Sequence, residues 1–136
     1  RPQVMAMWAR LRHTANNVLA AVVKELNIDS EIPIWKTNFD TGIFHDDNNG
    51  LNQWAGLAPA DDEVIDVPYF YNSMADNGAP VKPTDMPELK NGYWEYTRWN
   101  GAVLPISEFD TIEAFLINAK PFLIESSKAL HLKTRP

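Results

Sequence analysis

An α+β fold, two helices packed on a small antiparallel sheet, is what three features of this 136-residue sequence predict. An apolar stripe runs at helical spacing through residues 3–26. An Asn-Gly pair at 100–101 separates two runs rich in aromatic and aliphatic residues. A three-four apolar spacing returns over residues 109–123. At roughly 100–200 residues per domain, positions 1–136 read as one α+β domain. With 45% hydrophobic residues the chain lies well outside the composition of disordered proteins.

In the first helix, Val4, Trp8, Leu11, Ala15, Val18, Val22 and Leu26 recur every three or four residues, so they share one side of a 3.6-residue period. The stripe is nearly heptad-like but too short for a coiled coil, and core packing is the expectation. Asn27, Asp29 and Ser30 end the helix. Its start has no Ser, Thr or Asp cap and the first residue is Arg1, which suits a domain excised from a longer chain and tethered upstream.

Ile32, Ile34 and Trp35 predict a short strand that Pro33 confines to an edge. From Thr37 to Ala60 the density of Asn, Asp and Gly predicts a long loop anchored by Ile43, Phe44, Leu51, Trp54 and Leu57. Val64, Ile65, Val67, Tyr69, Phe70 and Tyr71 form a second strand candidate, which Pro68 keeps from a central position. Pro80, Pro83 and Pro87 with Gly78 predict extended, polyproline-like chain between Asn72 and Asn91.

A β-hairpin is predicted at 93–106, with Asn100-Gly101 as a two-residue type I′ turn. In that register Tyr93, Glu95, Thr97, Trp99, Ala102, Leu104 and Ile106 share the core face, leaving Trp94, Tyr96, Arg98, Val103 and Pro105 on the other. Ser107 with Asp110, or Asp110 with Glu113, caps a C-terminal helix. Pro121 kinks or splits it, Leu130 and Leu132 close the core, and Lys133 to Pro136 fray or form a linker.

Charge narrows the function classes. The net charge is −6, yet residues 37–79 alone hold eight acids, Asp61, Asp62 and Glu63 among them, and no lysine or arginine. An acidic chain without a basic stripe argues against a nucleic-acid partner, because such binding depends on cations that displace counterions from phosphates. The same field attracts a basic protein or metal cations. Absence of cysteine excludes disulfides and thiol chemistry. No run reaches the ~18 apolar residues of a membrane span.

Four groupings carry chemistry. Trp94, Tyr96 and Arg98 are types enriched at binding hot spots, and Tyr69 and Tyr71 join them as binding candidates, with Asp61 and Asp62 supplying charge. Asp46 and Asp47, followed by Asn48-Asn49-Gly50, offer hard oxygen ligands for calcium outside an EF-hand register. His45 beside these aspartates is the candidate base of a small hydrolase, though no nucleophile elbow accompanies it. No phosphate loop or dinucleotide fingerprint occurs, so no organic cofactor is expected.

The expected function is a non-catalytic protein interaction or assembly domain, binding a protein partner or copies of itself. As an alternative, the order helix, strands and glycine-turned hairpin, with Asp66-Val67-Pro68-Tyr69-Phe70 before it, resembles PAS or Cache receptor modules. That resemblance covers about half the chain. It lacks the arginine usual ahead of the ligand-contacting aromatics, and implies an extracytoplasmic small-ligand sensor. The hydrolase is a second alternative.

Overall fold

The computed structural model describes residues 2–26, 34–35, 40–60 and 64–134. The predicted helix stop at 27–30, Ile32, Pro33, Asp61, Asp62, Glu63 and the terminal Arg135-Pro136 lie outside the described residues. The first helix, α1 (Pro2–Leu26), forms as the stripe predicts. From Trp8 onward, Leu11, Ala15, Leu19 and Val22 are its buried side chains, with Trp8, Val18 and Leu26 partly buried beside them. Leu19 falls outside the strict three-four series because a broad apolar face of a helix includes both Val18 and Leu19.

Seven strands follow: β1 (Ile34–Trp35), β2 (Asp40–Asp46), β3 (Leu51–Ala58), β4 (Tyr69–Asp76), β5 (Ala79–Pro80), β6 (Tyr93–Glu95) and β7 (Gly101–Pro105). They form one antiparallel sheet in the order β1-β2-β3-β4-β7-β6, with β5 paired to the far end of β4. A 3₁₀ turn (Ile106–Glu108) leads into the second helix, α2 (Ile112–Thr134). The α+β architecture is therefore as the sequence predicts, and β1 takes the expected edge.

Within the long loop expected at 37–60, the described residues 40–58 are instead the hairpin of β2 and β3. Gly42, Gly56, Asn52 and Gln53 hide these strands from propensity, but Thr41, Ile43, Leu51, Gln53, Ala55 and Leu57 alternate and are buried. The Asp and Asn residues that suggested a loop build the tight connection. The Asp47 amide donates to the Leu51 carbonyl, and Asn48 (φ 63°) and Gly50 (φ 93°) supply the left-handed backbone.

β4 is central rather than peripheral. Pro68 precedes its first paired residue, so no ladder bond is lost, and the Pro68 carbonyl accepts a hydrogen bond from the Ile106 amide at 2.9 Å. An Asn-Gly turn with both residues at positive φ does occur, but at Asn77-Gly78 (52° and 84°), between the paired Asp76 and Ala79.

The hairpin at 93–106 exists in another register. The predicted partner of Tyr93 is Glu108; the observed one is Val103, five residues earlier, because residues 96–100 form the connection and Gly101 is already in β7. An odd shift exchanges the faces. Trp94 thus joins Ala102 and Leu104 on the helix side, while Tyr93 and Trp99 pack against Val103 on the other.

Glu95 accounts for the longer connection. Its Oε2 accepts hydrogen bonds from the Thr97 amide (2.9 Å), the Thr97 hydroxyl (2.8 Å) and the Arg98 amide (3.2 Å). Residues 81–92 lack regular structure but are tied down. The Lys90 amide donates to Glu125, Asn91 to Asn118, and Trp94 Nε1 to the Pro87 carbonyl.

α2 is capped by Thr111, whose Oγ1 accepts from the Ala114 amide at 3.0 Å, not by Ser107. It continues through Pro121 as one helix. The carbonyl that Pro121 leaves unbonded belongs to Ile117, which is 73% exposed, so the defect faces water. Leu130 is buried, whereas Leu132 is exposed, and Lys133 and Thr134 remain helical. Both helices pack on the same sheet face. Ile43, Leu57, Phe70 and Leu104 meet Leu19, Val22, Phe115 and Leu123 there, with the Phe70 and Phe115 rings 5.1 Å apart.

A polar group crosses this apolar layer. Asn72, fully buried on β4, accepts from Gln53 (2.9 Å) and donates to Ser126 (2.9 Å), Ser127 (2.8 Å) and the Leu123 carbonyl (3.2 Å). Gln53 also donates to Ser127 at 2.8 Å. These bonds hold α2 at one position over β3 and β4. Replacing Asn72 by alanine leaves the Gln53 amide and both serines short of partners, at about 1–3 kcal/mol for each buried group left unsatisfied. Urea denaturation of Asn72→Ala is expected to show a loss of at least this size, whereas unchanged stability would mean the network contributes nothing.

Candidate functional site

Strand alternation sends every second residue away from the helices, and the outward set is strongly aromatic. Phe44 on β2 pairs with Trp54 on β3, their rings 5.2 Å apart. Tyr71 on β4 lies edge-on to Trp99 at 6.3 Å and 87°, and Tyr69 stands 6.3 Å from Tyr71. Among the described residues no helix covers this face. Phe44 is 38% exposed, and Trp54, Tyr71, Tyr93 and Trp99 are partly exposed. Tyr69 is buried at one end with Ala58, Val64 and Val103.

Glycine makes the platform flat. Tyr71 pairs with Gly56, which pairs with Gly42. A Cβ on either glycine would lie within 3 Å of the Tyr71 hydroxyl, so the ring extends across two neighbouring strands that present no side chain beneath it. Trp99 covers Gly101 in the same way, with Cη2 2.5 Å from where a Cβ would stand. Aromatic rings over strand glycines restore the packing that glycine forfeits.

β2, β3 and β4 contain no lysine or arginine and Asp46 projects outward beside the platform, while Arg98 in the 96–100 connection places a positive charge near Tyr93. Hydrogen bonds from the Thr97 amide, then from its hydroxyl and the Arg98 amide, hold the Glu95 carboxyl below its usual range. Burial, reinforced by Glu95 and Glu108, raises the Tyr93 hydroxyl and keeps it protonated.

The sequence candidates are dispersed by the fold. Tyr71 belongs to the platform and Tyr69 to its buried end. Trp94 packs on the helix side, Tyr96 is 48% exposed in the 96–100 connection, and Arg98 is exposed there too. Asp46 points outward beside the platform. Its Oδ1 accepts from the Asn48 amide, and that of Asp47 accepts from the Asn49 and Leu51 amides, so both shape the turn. No group of three or more metal-ligating side chains occurs among the described residues. His45 and Asp46, adjacent on β2, project to opposite faces. Phe44 and Trp99 are not among the binding candidates of the sequence, and Trp54 is expected there to be buried; the alternation of Phe44 with Ile43 and of Trp54 with Ala55 is the signal that places Phe44 and Trp54 on the outer face.

Comparison with protein-family models, curated proteins and solved structures finds no match.

Two consequences are measurable. A methyl group on Gly56 meets the Thr41 carbonyl, the Gly42 backbone and the Tyr71 hydroxyl, and backbone on two sides cannot yield. Gly56→Ala is expected to destabilise the protein by about 1–3 kcal/mol in thermal denaturation, the usual cost of overpacking; a neutral result would contradict the close approach. Because its folded pKa is lowered, Glu95 contributes stability fully above the unfolded value of about 4.3 and loses it as pH falls through the lower folded value. The Thr97 and Arg98 amide resonances should therefore move in acid with a midpoint below that of an ordinary glutamate, and should not do so in Glu95→Gln.

Proposed function

We propose that this chain is a non-catalytic protein interaction or assembly domain that binds through the outer, aromatic face of its sheet. The observation that carries the reading is a set of partly exposed rings, Phe44, Trp54, Tyr71 and Trp99, on the face that neither described helix covers. Aromatic residues are enriched and charged ones depleted at the centre of interfaces, with polar groups at the rim. Here Asp46 and Asn52 supply such a rim on β2 and β3. Rings packed on glycine-backed strands are also held in place before a partner arrives, which lowers the ordering cost of association.

The hydrolase alternative draws no support from this geometry, since His45 and Asp46 diverge and Asp47 is engaged by its own turn. A small-ligand sensor needs an enclosed pocket of ~300–1,000 Å³. Among the described residues, the groove between α1 and α2, lined by Arg10, Leu11, Thr14, Ile112, Glu113 and Leu116, is open to solvent and measures about 270 Å³.

Hydroxyl-radical labelling of the protein in an extract of its native source, compared with the purified chain, tests the proposal. Trp54, Trp99 and Phe44 are expected to be protected in the extract relative to Ile117 and Leu132, which are exposed on α2 and serve as internal references. Equal labelling at all five positions would overturn it.

A further inference from the structure

Four Asn-Gly dipeptides occur in the chain, at 49–50, 77–78, 91–92 and 100–101. Each carries the same latent reaction, because glycine has no side chain to keep its amide nitrogen away from the side-chain carbonyl carbon of the asparagine before it. Folding decides which of them can use it. Attack requires a glycine amide that is not committed to an acceptor, a backbone that can leave its folded conformation, and access of water.

Three of the dipeptides are held. The Gly92 amide donates to Glu108 Oε1 at 3.0 Å, and the Asn91 side chain donates to Asn118 at 3.2 Å. Gly101 is buried in the β6–β7 ladder beneath the Trp99 ring. At 49–50, Asp47 Oδ1 accepts from both the Asn49 and Leu51 amides while the Asp47 amide donates to the Leu51 carbonyl, so the turn is tied on either side of Gly50.

Asn77-Gly78, the turn between β4 and β5, is open. Asn77, Gly78, Ala79 and Pro80 are all exposed, and nothing lies within 4 Å of where a Gly78 Cβ would stand. Among the described residues no hydrogen bond engages the Gly78 amide. What holds the turn is slight: the Asn77 amide donates to the Gly50 carbonyl at 2.7 Å, and β5 is two residues long, one of them a proline with no amide to give. Such a turn opens at low cost, since few bonds break and none of residues 77–80 is buried.

We infer that Asn77 is a site of spontaneous covalent modification, deamidation through a cyclic imide. The Gly78 nitrogen attacks Asn77 Cγ and forms the N–Cγ bond; the Cγ–Nδ2 bond breaks, and ammonia leaves with the proton of the Gly78 amide. Water then opens the succinimide. Opening at Cγ leaves aspartate, and opening at the main-chain carbonyl leaves isoaspartate, in which the chain runs through the side-chain carbons. Overall one water enters, one ammonia departs and nothing is oxidised or reduced. Either product adds a negative charge beside Asp76. Isoaspartate also puts an extra methylene into a two-residue turn, which draws the Asn77 amide off Gly50 and parts the β4–β5 turn from the β2–β3 turn. Nothing in this chemistry depends on what the outer face binds.

The test is a time course of the intact chain in mildly alkaline buffer at physiological temperature, read by peptide mass mapping, with the chain unfolded in guanidinium chloride as the reference in which all four dipeptides react. In the folded protein Asn77 should convert first, at a rate near its unfolded one and about tenfold or more faster than Asn91 and Asn100, because an exposed turn opens far more readily than a buried ladder. Fragment masses should show both aspartate and isoaspartate at that position. In the isoaspartate product the amide signals of residues 49–51 should shift together with those of 76–79. Gly78→Ala, whose methyl meets no neighbour, should slow Asn77 to the level of the held sites and leave the other three unchanged; if that variant fails to fold, the ratio of folded to unfolded rates at Asn77 decides alone. Equal rates at all four positions of the folded chain, an Asn77 as slow as Asn91, Asn49 reacting ahead of Asn77, or a folded Gly78→Ala that deamidates as fast as before would overturn the inference.

Discussion

Among the described residues the sheet is covered by helices on one face only, and the rest of the architecture follows from that. α1 and α2 take the same side, so strand alternation divides the side chains of β2, β3, β4 and β7 into two sets that meet different conditions. The inward set is sealed under Leu19, Val22, Phe115 and Leu123. The outward set has to shield its own backbone, and it does so with rings laid across glycines: Tyr71 over Gly56 and Gly42, and Trp99 over Gly101. The rings that pack over these glycines are also what gives the outer face aromatic groups at fixed positions.

Helix placement rests on shape and on one polar cluster rather than on ion pairs. Lys120 and Glu25 join α1 to α2 at 3.2 Å, but both are about half exposed, and exposed pairs contribute about 0–1 kcal/mol. Asn72, Gln53, Ser126 and Ser127 act differently, because a buried amide that loses its partners cannot recruit water in compensation. A slide of α2 along the sheet keeps much apolar contact but separates these four residues. The cluster therefore disfavours the neighbouring packings that an apolar interface alone tolerates. A second tie between α1 and β2, from the Thr41 hydroxyl to Asn16, works in the same sense.

This arrangement links the inner and outer faces. Asn72 and Ser73 are consecutive on β4, one directed into the polar cluster and the other onto the outer face. Trp54 and Ala55 are likewise consecutive on β3. The geometry of the aromatic surface thus depends on strands whose register is held from the opposite side by α2. Glu95 completes the arrangement by holding the 96–100 connection from which Trp99 folds back over Gly101.

Sequence pattern was sufficient where the signal was local and repeated. α1 and the main body of α2 are legible because an apolar residue every three or four positions has one economical structure, and the α+β class follows from them with the strand-like runs. The acidic stretch 37–79 is legible as charge. The β2–β3 hairpin was not, because its glycines and asparagines have low strand propensity on their own and become strand residues only when β4 and the helices cover them. Nor was the 93–106 register: Asn-Gly is a good type I′ turn in isolation, yet Glu95 stabilises a five-residue connection and Gly101 is needed under Trp99. Sequence by itself determined the helices, the fold class and the sign of the charge, all set by neighbours a few positions apart. Only the tertiary structure decided which strand is central and which aromatic residues share a face, because both depend on pairings between distant residues, and a single odd shift in register exchanges inside for outside.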